Sequence, residues 1–148
     1  MQKIITGVVI QGHRIASGLS DISPYPKGSL EMQAPHFREK GLDLGKYHLG
    51  TLNIDISPRQ FKILDATYKF VDVEWAEGFP AETFSFVECE VCFDGKTFNA
   101  LVYYPHPETK IGHFQSSATI EVMAPKIDGI SYGSNVNLKI DDCTIEAI

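Results

Sequence analysis

The stretch that decides the fold runs from Thr83 to Tyr104 and reads TFSFVECEVCFDGKTFNALVYY. Its two arms, Thr83–Phe93 and Thr97–Tyr104, are rich in β-branched and aromatic residues, which favour strands. Between them stands Asp94-Gly95, a dipeptide that is typical of a two-residue hairpin turn. The sequence therefore predicts that the two arms pair as an antiparallel hairpin.

The first arm has an apolar face and an acidic face, because side chains alternate along a strand. The face predicted to be buried carries Val87, Cys89, Val91 and Phe93, and the other carries Glu88 and Glu90. Cys89 and Cys92 should point to opposite faces, so they are not placed to bind one metal ion. The chain has 3 cysteines, and this odd number argues against a disulfide scaffold. We expect inert thiols.

Outward from the hairpin, the chain continues as short extended segments separated by turns. Strands are predicted at Lys3–Ile10, Thr51–Ile56, Thr67–Trp75, Ala118–Met123 and Asn135–Ile140, with a further short strand at Ser29–Ala34. The one predicted helix is short, Pro35–Gly41, with proline in its first turn and glycine at its exit. This pattern is typical of an all-β protein built as a closed antiparallel barrel.

Length and composition narrow the protein class. The chain has 148 residues, which predicts one domain over 1–148, and 43% of them are hydrophobic, enough for a core. The net charge is −6 without a Lys/Arg cluster, which argues against nucleic acid as a partner. The sequence shows no bilayer-spanning run and no signal-peptide pattern, so we expect a soluble, cytoplasmic protein with no membrane partner. Its oligomeric state is left open.

One predicted strand carries oxygen donors on a single face. Its apolar residues are Leu52, Ile54 and Ile56, and these alternate with Thr51, Asn53 and Asp55. Mg²⁺ prefers hard oxygen donors and is usually held by one or two protein groups together with substrate phosphates. Gly50, just before the strand, permits close approach of a ligand to the backbone. Taken alone, the segment fits an ordinary half-exposed strand with polar residues outside better than it fits a metal site.

Three sequence blocks together resemble one protein family. They are Lys46–Asn53, containing Gly-Thr-Leu-Asn; the Asp94-Gly95-Lys96-Thr97-Phe98 hairpin, which ends at Tyr104-Pro105; and Ser116–Pro125, which reads SSATIEVMAP. In order and spacing they resemble the archaeal CTP-dependent riboflavin kinases. The resemblance implies a six-stranded cradle-loop barrel that transfers phosphate from CTP, or another nucleoside triphosphate, to riboflavin or a related acceptor with Mg²⁺. Its expected partners are therefore a nucleotide and a flavin.

The resemblance also assigns roles to residues. Thr51 and Asn53 match the Mg²⁺ ligands of the family. Glu121 matches a glutamate that touches the flavin near the acceptor hydroxyl, and its mostly apolar strand would suit a catalytic general base. A carboxylate that faces solvent or pairs with a lysine is the alternative. His113 stands where the family has a flavin-contacting threonine.

Two loops would hold the nucleotide according to the resemblance. The loop that contacts the base corresponds to Lys126, Ile127, Asp128 and Gly129. The phosphate loop of the family, Gly-x-Gly-Glu-Gly, corresponds here to Gly18-Leu19-Ser20-Asp21-Ile22, which keeps only the first glycine. Gly18, Leu19 and Ser20 are the predicted phosphate-binding residues, and Lys27 would supply a replacement donor. An ordinary surface loop that no longer binds triphosphate is the alternative.

Three functions follow from these patterns. The first is a riboflavin kinase-like phosphotransferase. The second is a non-catalytic flavin- or nucleotide-binding module on the same barrel, and the changed Gly18–Ser23 loop favours it. The third is a DNA-binding relative, since small barrels of this type also occur in transcription factors, but the acidic charge argues against it.

Overall fold

The computed structural model describes residues 2–10, 29–48, 51–75, 81–106 and 118–148. Within these ranges the chain is mostly β, as predicted, with nine strands and one helix. The elements in chain order are β1 Gln2–Ile10, α1 Ser29–Glu39, β2 Leu52–Asp55, β3 Phe61–Ile63, β4 Tyr68–Val73, β5 Glu82–Phe93, β6 Lys96–Pro105, β7 Thr119–Met123, β8 Asn135–Asp141 and β9 Ile145–Ala147.

The predicted hairpin is confirmed. Strands β5 and β6 pair antiparallel in one register from Phe84 opposite Pro105 to Phe93 opposite Lys96. The turn residues Asp94 and Gly95 have φ angles of 52° and 74°. Two positive φ angles are what a type I′ hairpin turn requires, and this explains the Asp-Gly sequence.

A large antiparallel sheet organises the described residues. Its seven strands follow the order β4-β5-β6-β7-β2-β1-β8, and β5 makes an additional pairing with β8. One edge of β5 pairs with β6, and the other edge pairs with two strands in succession. The first half of β5 pairs with β4, and its Glu90–Cys92 segment pairs with β8. β3 and β9 form a separate two-stranded sheet. Residues 61–63 and 145–147 were not predicted as strands.

One face of the sheet builds an aliphatic cluster. It draws alternate residues from β1, β2, β5, β6, β7 and β8, so the period of two in the sequence carries directly into the core. The predicted inner face of β5 is confirmed, since Val87, Cys89 and Val91 are buried and Phe93 packs against the cluster. Glu88 on the opposite face is exposed.

The other face of β5, β6 and β7 builds an aromatic cluster, which also includes residues of α1 and β4. Its buried members are Leu30, Phe37, Leu42, Leu44, Val73, Trp75, Phe84, Phe86, Leu101, Tyr103 and Met123. The Phe37 ring of α1 meets the rings of Phe84 and Phe86 edge-on, each at a centroid distance of 5.0 Å. The Tyr103 hydroxyl donates a buried hydrogen bond of 2.8 Å to Gln33 Oε1, which ties the helix to β6.

The predicted strand at Ser29–Ala34 is wrong, because this segment is the first half of α1. Its buried residues are Leu30, Gln33 and Phe37, and these spacings of three and four place them on one helical face. Pro35 therefore lies inside the helix rather than in its first turn. The predicted glycine exit is confirmed: Gly41 has φ 103°, and Leu42 N donates to Phe37 O, the pattern of a Schellman cap.

Within the described ranges, no helix combines the length and the apolar character that crossing a bilayer would need.

Candidate functional site

Strands β2 and β7 bring together three of the predicted site residues. They pair antiparallel with Asn53 directly opposite Glu121. Leu52 and Ile54 on β2 face the aliphatic cluster, so Thr51 and Asn53 belong to the opposite face, as the alternation predicted. The Thr51 Oγ1 hydroxyl donates a hydrogen bond of 3.2 Å to Glu121 Oε1. Two separate sequence blocks thus converge on one patch.

This patch is partly withdrawn from solvent. Asn53 exposes only 7% of its surface, and Thr51 and Glu121 are half-buried. A buried amide on the polar face of β2 differs from the solvent-facing strand that the segment alone would suggest. Burying polar groups is costly without partners, and the hydrogen bond between Thr51 and Glu121 supplies one such partnership within the patch.

The donor set of the patch fits a hard cation. Thr51 Oγ1 directs its proton to Glu121, which leaves the lone pairs of the hydroxyl oxygen available as an acceptor. Asn53 adds an amide oxygen, and neutral oxygen ligands of this kind suit Mg²⁺ when substrate phosphates supply the remaining ligands. In the part of the chain that is described, no three His, Cys, Asp or Glu side chains group as metal ligands. A site built on threonine and asparagine does not depend on such a group.

A pocket of about 330 Å³ opens beside the patch. Its lining residues are Val9, Ile10, His48, Thr51, Leu52, Asn53, Val122, Ala124, Pro125, Lys126, Ile127, Ile130 and Tyr132. The pocket therefore joins the predicted metal ligands to the predicted base loop. It also lies at the end of β1, from which the chain enters residues 11–28.

The predicted base loop is divided between the pocket and the surface. Lys126 and Ile127 line the pocket, Lys126 as an exposed cation and Ile127 as a buried apolar residue. Asp128 and Gly129 lie on an exposed turn, where Gly129 has φ 83°. The loop begins where Ala124 O accepts a hydrogen bond of 3.0 Å from His48 N.

Several predicted site residues cannot be compared with the structure. Gly18, Leu19, Ser20 and Lys27, from the predicted phosphate loop, lie outside the described residues. His113, the predicted flavin contact, lies outside them as well. Their roles remain predictions.

The pocket also contains residues that the sequence reasoning did not assign to a site. Ile130 and Tyr132 follow the predicted base loop, and His48 lies in the segment before β2. His48 is exposed, yet it lines the pocket. Ser131 and Gly133 on either side of Tyr132 are turn-forming residues, so the sequence indicates a turn there but not its position at the pocket.

A serine on β5 contacts the histidine that directly follows β6, a pairing that also occurs in nucleophilic catalysis. Ser85 Oγ and His106 Nε2 lie 2.7 Å apart, within hydrogen-bond reach. Ser85 exposes only 1% of its surface, and the His106 ring packs against Tyr104 at a centroid distance of 5.1 Å. A nucleophile needs access to a substrate, so this contact is best explained as hydrogen bonding that satisfies a buried hydroxyl.

The comparisons with known proteins add no family assignment. No protein-family model matches the chain, and a comparison with curated proteins found no similar sequence.

Proposed function

We propose that the protein is a riboflavin kinase-like phosphotransferase, which moves a phosphate from CTP or another nucleoside triphosphate to riboflavin or a related acceptor with Mg²⁺. The observation that carries the proposal is the convergence of Thr51, Asn53 and Glu121 on one patch. Thr51 and Asn53 of the patch line a pocket that Lys126 also lines, and Glu121 lies behind them through its hydrogen bond to Thr51. Phosphoryl transfer asks a protein mainly for positioning and charge neutralisation, and this arrangement supplies groups for both.

The proposal includes the architecture. We interpret β1, β2, β5, β6, β7 and β8 as the six strands of a closed cradle-loop barrel in one domain, 1–148. The pairing of β5 with both β6 and β8 supports this, because each of these six strands then has two neighbours among the other five. The aliphatic cluster would be the interior of the barrel and the aromatic cluster would lie outside it.

The residues of the patch have distinct roles in this proposal. Thr51 and Asn53 would hold Mg²⁺ through neutral oxygens, so the nucleotide phosphates must provide the anionic ligands. A bound Mg²⁺ offsets the negative charge of the phosphate oxygens. The Glu121 carboxylate would accept the proton of the acceptor hydroxyl, and Thr51 would orient that carboxylate by its hydrogen bond. Lys126 would add positive charge beside the nucleotide.

The alternative is a flavin- or nucleotide-binding module without catalysis. The sequence Gly18-Leu19-Ser20-Asp21-Ile22 favours it, since two of the three glycines of the phosphate loop are replaced. Glycines in such loops let consecutive N–H groups close on phosphate oxygens. Binding without transfer would be the result expected for this module.

The test is a binding screen of riboflavin, FMN, CTP and ATP, each with and without Mg²⁺. Asn53→Leu keeps a similar volume but removes the amide oxygen, so Mg²⁺-dependent nucleotide binding should be abolished while the far-UV circular dichroism is unchanged. Asn99→Leu is the matched control, because Asn99 is an exposed strand asparagine outside the pocket lining. If Asn53→Leu binds nucleotide as the parent does, the metal assignment is wrong.

Phosphate transfer to the flavin separates the two functions. Glu121→Gln should retain nucleotide binding and lose most transfer, because the amide cannot accept the hydroxyl proton. Saturable binding of one ligand without transfer supports the module. Binding of neither nucleotide nor flavin removes both proposals.

A further inference from the structure

Among the described residues that line the pocket, Tyr132 is the one with a phenylalanine, tyrosine or tryptophan ring. It exposes 60% of its surface, although it lines a pocket whose other walls are largely apolar. Exposed large apolar side chains at a concave site often mark a ligand contact, whereas single ones on a convex surface need no explanation. The hydrogen bonds of the turn that carries Tyr132 indicate that the first explanation, a ligand contact, applies here.

The backbone at Tyr132 is pinned by four hydrogen bonds. Ser134 N donates to Ser131 O at 3.0 Å, and Ser131 N donates to Ser134 Oγ at 3.0 Å, which closes the turn from both sides. Gly133 N donates to Val9 O at 2.7 Å, and Val9 N donates to Ser134 O at 2.9 Å, which fixes the turn to β1.

This turn is also conformationally specified. Gly133 follows Tyr132 with φ 93°, as a type II turn requires at its third position. The turn therefore presents the ring at the pocket without a large loss of backbone freedom on binding. A rigid aromatic surface of this kind favours a flat partner.

We propose that the Tyr132 ring stacks on the nucleobase of the nucleoside triphosphate, so that the site selects its nucleotide by ring area rather than by base-edge hydrogen bonds. This inference rests on the proposed function, since it places the triphosphate near Thr51, Asn53 and Lys126. Ile127 and Ile130, which precede Tyr132 in the chain and also line the pocket, have no polar side-chain group with which to read a base edge.

Stacking selects differently from edge recognition. Every base has a π-face, so an aromatic platform tolerates all four bases and favours those that stack most strongly. Purines have the larger ring system. ATP and GTP should therefore bind at least as tightly as CTP and UTP, with a preference of a few-fold.

The experiment measures dissociation constants of the four nucleotides with Mg²⁺ by calorimetry, on the full chain and on two variants. Tyr132→Leu should weaken ATP binding about tenfold, since stacking on one aromatic side chain contributes on this scale. Tyr132→Trp should restore or strengthen it. Inorganic tripolyphosphate with Mg²⁺ is the internal control, because it has no base and its affinity should not change in either variant.

A second control addresses the general effect of removing an exposed apolar side chain. Val71→Ala alters a residue on β4 that exposes 59% of its surface, and it should change none of the affinities. If CTP alone binds, or if Tyr132→Leu leaves ATP affinity unchanged while tripolyphosphate still binds, the stacking role is wrong and the proposed function stands. If neither nucleotides nor tripolyphosphate bind to the parent protein, the proposed function fails and this inference fails with it.

Discussion

The two hydrophobic clusters occupy opposite faces of the same three strands, and they are built differently. The aliphatic cluster consists mainly of valine, isoleucine and leucine from alternate positions of strands. The aromatic cluster brings phenylalanine, tyrosine and tryptophan rings together from α1, β5, β6 and the segment that follows β4. Strand β5 serves both, because Phe84 and Phe86 face one cluster while Val87 and Val91 face the other.

This difference shows how far the local sequence pattern specifies each hydrophobic cluster. Alternation within a strand is enough to define the aliphatic side, since neighbouring strands only repeat the same rule. The aromatic side depends on a helix that docks from elsewhere in the chain, and its rings meet edge-on rather than in a periodic layer. We therefore expect the aromatic cluster to depend most on single large residues.

The largest expected effect is at Phe37, whose ring is fully buried between Phe70, Phe84 and Phe86. Phe37→Ala should lower the free energy of unfolding by about 3–5 kcal/mol, through lost burial and the cavity left behind. Phe37→Leu, which keeps much of the volume, should cost clearly less. Urea denaturation followed by circular dichroism measures both, and equal losses for the two variants would contradict a packing role.

The matching test of the aliphatic cluster is a substitution at Gly7 on β1, which lies close to Ile54 of the neighbouring strand β2. A Cβ atom there would clash with Ile54 Cγ2 and would lie 3.0 Å from Asp55 O. Gly7→Ala should therefore destabilise by about 1–3 kcal/mol through overpacking. Ile4→Ala, at a well-exposed position of the same strand, should stay within about 0.5 kcal/mol in the same denaturation assay. A neutral Gly7→Ala would show that the two strands separate easily.

These contrasts explain which parts of the fold were predictable. The hairpin of β5 and β6 was predicted because Asp94-Gly95 and the alternation of its arms are local signals. Helix α1 was predicted only in part, because Leu30, Met32 and Ala34 alternate as they would in a strand. The residues that the structure buries, Leu30, Gln33 and Phe37, follow helical spacing instead. The β3–β9 pairing was missed because three-residue strands more than 80 positions apart leave no local signal.

The candidate site was predictable to a similar extent. The alternation along β2 correctly placed Thr51 and Asn53 on one face. The sequence alone could not place Glu121 opposite Asn53, because the register between distant strands is set by tertiary packing. The turn at Tyr132 was missed for another reason: its importance comes from hydrogen bonds to Val9, which lies more than 120 residues away.

Cys89 sharpens the comparison by reporting on the aliphatic cluster alone. It is buried there, and this burial raises the pKa of its thiol to about 12. At pH 8 only the thiolate reacts, so Cys89 should resist a disulfide reagent until denaturant is added, while the exposed Cys143 reacts at once. Cys143→Ser should remove the fast phase.

The same assay tests whether the clusters are coupled. If they open independently, Gly7→Ala should speed the reaction of Cys89 more than Phe37→Ala does, although Phe37→Ala costs more stability. The opposite order would mean that the aromatic cluster holds the aliphatic one closed.

The smallest expected effect lies outside both clusters, at the turn where β2 ends. Asp55 Oδ1 accepts hydrogen bonds from Ser57 Oγ at 2.6 Å and from Ser57 N at 2.9 Å. These bonds, the hydroxyl one first, hold the pKa of Asp55 below its ordinary value in the folded state. A carboxyl group with a lowered folded-state pKa stabilises the fold above its unfolded pKa, and this contribution is lost as pH falls through the folded pKa.

Ser57→Ala should therefore cost less than about 0.5 kcal/mol at pH 7, because the turn is accessible to solvent. Since the bonded carboxylate is progressively neutralised in acid, the difference between Ser57→Ala and the parent should shrink as the pH is lowered from 7 towards 2. Paired urea titrations at the two pH values measure it, and a loss that persists in acid would show that Ser57 acts through packing of the turn instead of through the Asp55 carboxylate.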